Sequence, residues 1–117
     1  FLTPVMGVTM RILSYGLMIA ATGLYVLTAT VEPGIQQPQP KSVVSTVTSH
    51  LTHSAKKKLR ICRTCNVVQK PRMHHCRVCN VCVKDFDHHC PWTGNCIGHR
   101  NYRFFYLFTL VASAGSG

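Results

Sequence analysis

Three things are in short supply in this chain. Acidic residues number only three among 117, namely Glu32, Asp85 and Asp87, against thirteen Lys and Arg. Charge of either sign is missing from residues 12–31. Aliphatic side chains are few between residues 59 and 103, and a core that small rarely supplies more than ~3–5 kcal/mol. The last shortage excludes hydrophobic burial as the organiser of that segment. The second excludes a solvated helix for 12–31. A signal peptide is excluded there too, because the run is too long and no small-residue cleavage site stands out.

The chain is one domain's worth at most. It opens on Phe1 and stops within an apolar run, so it reads as a piece of a longer protein. Residues 12–31 suit a bilayer-spanning helix, since roughly 20 apolar residues cross a hydrocarbon core of ~30 Å. Gly16, Ala20 and Gly23 fall on one face, where another helix could pack closely. Glu32-Pro33-Gly34 ends the helix: proline disfavours helical conformation in the residue before it, and glycine supports a turn. Residues 36–40 read as an extended linker. Residues 41–54, rich in Ser, Thr and Val, are expected to form a loop, with His50 and His53 solvated.

The cluster Lys56-Lys57-Lys58-Leu59-Arg60 is either a solvated charge run, a contact for anionic lipid headgroups, or one for ligand phosphates. From Phe104 to Val111 the sequence is again apolar, like the first turns of a second membrane helix. Twelve of the thirteen basic residues lie between these two apolar runs, which favours the cytosolic side for the intervening segment. The protein is thus expected to be integral to a membrane, at the endomembranes (Golgi or ER) or the plasma membrane.

What the intervening segment does have is sulfur and imidazole. All seven cysteines lie in residues 62–96. They read Cys62-x2-Cys65, His74-His75-Cys76-x2-Cys79-x2-Cys82, His88-His89-Cys90 and Cys96. Tight Cys-x-x-Cys spacings interleaved with histidine point to zinc and a reducing compartment rather than to disulfides. A structural zinc takes four N or S ligands, and Cys76, Cys79 and Cys82 cannot easily all serve one ion. Two interleaved sites, each of three cysteines and one histidine, leave one cysteine over, and spacing does not say which. Structural zinc is worth roughly 10–16 kcal/mol in finger peptides, so metal outweighs burial as organiser. Loops and short hairpins that depend on the metal are expected. Asp87-His88-His89-Cys90-Pro91-Trp92 places a carboxylate, two imidazoles and a thiol side by side. A thiol spared from metal binding there is a candidate nucleophile.

The full pattern is Cys62-x2-Cys65-x9-His75-Cys76-x2-Cys79-x2-Cys82-x4-Asp87-His88-His89-Cys90-x5-Cys96-x4-Asn101-x3-Phe105. It resembles the cysteine-rich domain of the DHHC-type protein S-acyltransferases, the palmitoyltransferases. Pro91-Trp92 and Gly94-Asn95 agree as well, and Glu32-Pro33-Gly34 is similar to that family's Asp-Pro-Gly. The resemblance implies a membrane protein in which transmembrane α-helices flank a loop-rich, zinc-stabilised cysteine-rich domain with short β-hairpins. Residues 10–31 would be a transmembrane helix, 32–58 a linker, 59–103 the zinc domain, and 104–117 the start of a truncated transmembrane helix.

It also implies two structural zinc ions, one on Cys62, Cys65, His75 and Cys82, the other on Cys76, Cys79, His89 and Cys96. Cys90 would be the acyl-accepting nucleophile, His88 its base and Asp87 the residue that orients His88. The implied reaction is ping-pong transfer of a long-chain acyl group, typically palmitoyl, from acyl-CoA through a Cys90 thioester to cysteines of membrane-proximal protein substrates. The family carries at least four membrane helices and a Thr-Thr-x-Glu motif that these residues do not include, so the resemblance assigns the activity to the parent protein and leaves open whether the piece alone is active. His74 is expected at the surface, and His99, Arg100 and Arg103 as interfacial anchors. An alternative reading is a non-catalytic zinc-binding membrane adaptor, against which Asp87, His88 and Cys90 all stand. Specific nucleic-acid binding is not expected, because no recognition helix is evident beside the membrane span.

Overall fold

A computed structural model describes residues 2–115, with 2, 3 and 56–58 described by their backbone alone. The headgroup contact expected of Lys56, Lys57 and Lys58 therefore lies outside the described side chains. Helix α1 runs Leu2–Thr30, beginning eight residues before the expected span. A lone Arg11 is a good helix former and does not interrupt the run. Among the described residues it is the one helix long and apolar enough to cross a membrane, and only 6% of its apolar window is buried, unlike a core helix. A Cβ on Gly16 or Gly23 would meet open space.

Glu32 closes the helix. One carboxylate oxygen accepts the backbone N–H of Gly34 at 2.7 Å and that of Ile35, while the other accepts from the Arg100 guanidinium at 2.6 Å. Burial pushes this carboxyl up, but the two N–H groups and the guanidinium outweigh it and hold it below the usual carboxylate range.

The linker is not a loop throughout. It forms strand β1 (Ile35–Gln36) and helices α2 (Lys41–Ser49) and α3 (His53–Lys58). The loop expected for 41–54 is thus corrected over most of its length. Ser45, Thr46, Thr48 and Ser49 bond their hydroxyls to carbonyls three or four residues back, so side chains that favour loops are turned inward on the helix. His50 lies just past α2 and His53 at the start of α3, both exposed.

The remainder is three antiparallel hairpins built to one plan. These are β2 (Arg60–Cys62) with β3 (Val67–Gln69), β4 (His74–Cys76) with β5 (Val81–Val83), and β6 (His88–Cys90) with β7 (Asn95–Ile97). Each turn has four residues, and Cys62 faces Val67, Cys76 faces Val81, and Cys90 faces Asn95. The last turn residue is left-handed each time: Asn66 at φ 52°, Asn80 at 56°, Gly94 at 63°. Asparagine and glycine tolerate that conformation best. Strand β1 adds to β5 and makes a three-stranded sheet.

The apolar core is as small as the composition requires. Val67 and Met73 pack among Cys62, Cys65 and Cys82; Val83 packs with Cys76 and Cys96 beside Ile35, Val81 and Phe86. Helix α4 (Tyr102–Gly115) begins two residues before the expected position, because the Asn101 carbonyl accepts the first helical bonds from Phe104 and Phe105. It packs along α1, with Tyr25 and Phe108 rings 5.7 Å apart.

Gly98 is where the layers come closest. A Cβ there would lie 2.5 Å from Val83 Cγ1, 2.7 Å from the Pro33 carbonyl oxygen and 2.9 Å from that of Lys84. Gly98→Ala is expected to cost about 1–3 kcal/mol, as overpacking does. A thermal melt of the zinc-loaded protein reads this as a lowered Tm, and an unchanged Tm would contradict it.

Candidate active site

The hairpins place the eight expected ligands in two groups. Cys62, Cys65, His75 and Cys82 bring one donor atom each within 4.8 Å of one another, as do Cys76, Cys79, His89 and Cys96. In the first group His75 Nδ1 lies 3.5, 3.3 and 3.9 Å from the sulfurs of Cys62, Cys65 and Cys82. In the second His89 Nδ1 lies 3.7, 3.4 and 3.6 Å from those of Cys76, Cys79 and Cys96. A tetrahedral zinc with Zn–S ≈ 2.3 Å and Zn–N ≈ 2.0 Å sets the S···N edge at about 3.5 Å, so both groups fit such an ion.

The donor chemistry agrees. Burial first, then the Cys62 and Cys65 sulfurs, push the Cys82 thiol up to about 12. Burial with Cys76 and Cys79 pushes Cys96 up likewise. Thiols this crowded resist joint ionisation unless a cation lies among them.

The wiring is a relay. The first and second hairpins each supply two cysteines, one ending the first strand and one in the turn, and the strands of the next hairpin supply the histidine and the third cysteine. Equivalent positions recur every 14 residues: Cys62, Cys76 and Cys90; His75 and His89; Cys82 and Cys96. That period is visible in the sequence, yet spacing of individual ligands alone does not suggest it. The third hairpin has no successor, so its turn faces no second pair of ligands. Its first position is Cys90, and Thr93 stands where Cys65 and Cys79 stand in the other turns. The backbone N–H of Cys65 points to Cys62 Sγ, and that of Cys79 to Cys76 Sγ, both at 3.4 Å.

At Cys90 the equivalent N–H groups of Thr93 and Trp92 remain but no metal partner does. Burial raises the Cys90 thiol; the Thr93 side chain and N–H, the His88 ring and the Trp92 N–H outweigh burial and bring it below the ordinary range. The turn that elsewhere presents a thiolate to a metal here favours a metal-free one.

His88 is held from two sides. Its Nδ1 lies 2.7 Å from Asp87 Oδ2, and the Phe105 ring on α4 meets it edge-on with centroids 5.1 Å apart. Burial lowers His88, but Asp87 and Cys90 outweigh it and raise it. Asp87 is itself fixed by its N–H, bonded to the Ile97 carbonyl. Cys90 and His88 line a cavity of about 660 Å³ between the third hairpin, α4 and Tyr25 of α1, with Trp92, Phe105 and Phe108 among its walls.

The remaining candidates stand apart. His74 is exposed, its ring 6.1 Å from that of Phe86. His99 Nδ1 lies 2.7 Å from Asp85, Arg100 pairs with Glu32, and Arg103 sits over the Phe104 ring at 4.6 Å. Sequence reasoning assigned no role to Thr93, whose partner is Cys90 of its own hairpin, or to Tyr25, Asn95 and Asn101, which bond across the junction between α1 and the third hairpin region.

The fold and site define a class: a cysteine-rich zinc-binding domain of short hairpins beside one helix long and apolar enough to cross a membrane, with one cysteine outside both metal groups. The family model described as DHHC palmitoyltransferase matches residues 55–116, and the chain belongs to that family. It is similar to palmitoyltransferase ZDHHC9 of Pongo abelii, 47% identical over 81 residues, which is 69% of this chain and 21% of that protein. Palmitoyltransferase ZDHHC14 of Danio rerio is 61% identical and that of Homo sapiens 59%, each over 56 residues, 48% of this chain and 11% and 12% of those proteins. The chain thus spans about a fifth or less of the curated relatives it matches.

His88→Ala and Thr93→Val each remove a group that holds the Cys90 thiol down. The pH midpoint of Cys90 alkylation is therefore expected to lie below that of a free thiol, about 8.5. It should move upward in either variant, slowing the reaction several-fold at neutral pH. Iodoacetamide rates at Cys90 of the zinc-loaded protein, followed by mass spectrometry across pH, measure this. Superimposable profiles would contradict it.

Proposed function

We propose that the protein is a protein-cysteine S-palmitoyltransferase in which Cys90 carries the acyl group, His88 serves as base and Asp87 orients His88. One observation carries this reading: the single cysteine outside both metal groups lies beside an Asp–His pair at the mouth of an apolar cavity. Two zinc ions are structural, held by Cys62, Cys65, His75 and Cys82 and by Cys76, Cys79, His89 and Cys96. His89 lies between His88 and Cys90, so the second metal group fixes the strand that carries both.

Only the thiolate attacks a thioester. His88 takes the Cys90 proton, and its bond to Asp87 fixes the tautomer that leaves the other ring nitrogen free to accept it. The Cys90 sulfur then forms a bond to the acyl carbon of a long-chain acyl-CoA. The bond to the CoA sulfur breaks, and that sulfur regains a proton from His88. In the second half the thiolate of a membrane-proximal cysteine on a protein substrate attacks the Cys90 thioester and releases Cys90. One thioester replaces another in each half, so neither needs an external energy source.

The acyl chain requires an apolar path, and the cavity between the third hairpin, α4 and Tyr25 of α1 supplies part of its wall. In this reading α1 and α4 are membrane helices, the hairpins face the cytosol and the bilayer is a partner, at the endomembranes or the plasma membrane. We place the activity in the longer protein, because α1 and α4 leave the cavity open on its remaining sides.

Incubating the full-length protein in membranes with a clickable palmitoyl-CoA, beside Cys90→Ala of equal zinc content, tests the proposal. The expected result is a hydroxylamine-sensitive label that the variant loses entirely. A label of equal intensity in both, or none in the zinc-replete parent, would overturn it.

A further inference from the structure

The end of α1 leaves backbone carbonyls without helical partners, as every helix does. Here the third hairpin and the residue before α4 supply donors for them. The Asn95 amide nitrogen lies 3.3, 3.2 and 3.0 Å from the carbonyls of Thr28, Ala29 and Val31. Asn101, fully buried, donates its amide to Thr28 at 3.2 Å and to Cys96 at 2.8 Å, and accepts the Gly98 N–H at 2.9 Å. These donors also meet the negative end of the helix dipole. One turn up the same face of α1, the Tyr25 hydroxyl donates to the Trp92 carbonyl at 2.9 Å.

The two contacts grip one short turn, at its second residue and just past its end. Residues 91–94 join Cys90 to Asn95, which face each other across the hairpin. Tyr25 holds the turn at Trp92, and the end of α1 holds it at Asn95. Cys90 pairs with Asn95 across the hairpin and lines the same cavity as Tyr25. The Trp92 side chain makes no such anchor, being 88% exposed, so the turn is held through its backbone and through Asn95.

We infer that Tyr25 and Asn95 are positioning residues that fix Cys90 relative to α1, and that this register selects the length of acyl chain the protein transfers. A sulfur set at one height along α1 fixes how far a chain bound to it reaches along the apolar walls of Tyr25, Phe105 and Phe108. Loosening either grip lets the sulfur ride higher or lower, so longer and shorter chains are accepted together. The selectivity half of this inference rests on Cys90 as acyl carrier; the positional half does not.

The chain has a single tryptophan, Trp92, and it sits in the clamped turn. Its fluorescence in the zinc-loaded protein in nanodiscs, quenched by lipids brominated at successive acyl positions, reports the depth of that turn. Tyr25→Phe and Asn95→Ala are expected to keep two zinc ions per chain while their quenching profiles broaden or shift. With an equimolar mixture of acyl-CoA lengths, the acyl groups recovered from Cys90 of the full-length variants should spread over more lengths. Acylation with the preferred length should slow, by up to about 100-fold for an ångström-scale displacement.

Wild-type quenching profiles in both variants, or an unchanged length distribution on a slowed enzyme, would overturn the inference. If Asn95→Ala loses zinc, Tyr25→Phe decides alone, since it deletes one hydroxyl bonded to the Trp92 carbonyl and to none of the eight metal-group residues. Fluorescence reads the depth of the turn and no acyl transfer. Failure of Cys90 to accept an acyl group would therefore overturn the selectivity half and leave the positional half to the quenching profiles.

Discussion

Three sulfurs and an imidazole nitrogen confined within a few ångströms need a cation among them, and this domain meets that demand twice. The apolar side chains between the hairpins are too few to hold them, whereas structural zinc contributes roughly 10–16 kcal/mol in finger peptides. Because each group draws two cysteines from one hairpin and two ligands from the next, no hairpin is independent. The second group includes His89, so order reaches the strand carrying His88 and Cys90 through that group.

The relay explains the free thiol. Repeating one hairpin three times yields two complete metal groups and one open turn, and the open turn is where Cys90 lies. Thr93 in place of a cysteine denies a metal its second thiolate there while keeping the backbone donors that favour a charged sulfur. Zinc-domain side chains then reach across to α1, with Asn95 and Asn101 satisfying its terminal carbonyls and Arg100 meeting Glu32. Metal in the two groups would hold the domain within, and polar contacts hold its junction with the helix. Burial alone could not do this with so few aliphatic residues.

Much of this is legible in the sequence, and what is not has physical causes. The uncharged run announces α1, since a helix of that composition has no other comfortable environment. The cysteine and histidine spacing announces two metal groups, because few other arrangements use those donors at those intervals. Which four residues share an ion is not legible from spacing; the family resemblance implies the grouping that the hairpins bring together. Residues 41–49 depart from expectation because Ser, Thr and Val favour loops and strands by propensity, and hydroxyl bonds back to the helix override it. Tyr25, Asn95 and Asn101 give no signal of their partners, since they act on backbone carbonyls more than sixty residues away. The repeat of 14 residues is present in the letters, but only the three turns in space give it meaning.

The central claim is that metal occupies six cysteines and leaves Cys90 alone reactive. Counting fast-reacting thiols with a maleimide, before and after chelation, tests it most directly. The account predicts one adduct per zinc-loaded chain, located at Cys90 by mass spectrometry, and seven adducts once a chelator removes the metal. Several fast adducts in the zinc-loaded protein, or a single one at any other cysteine, would contradict it.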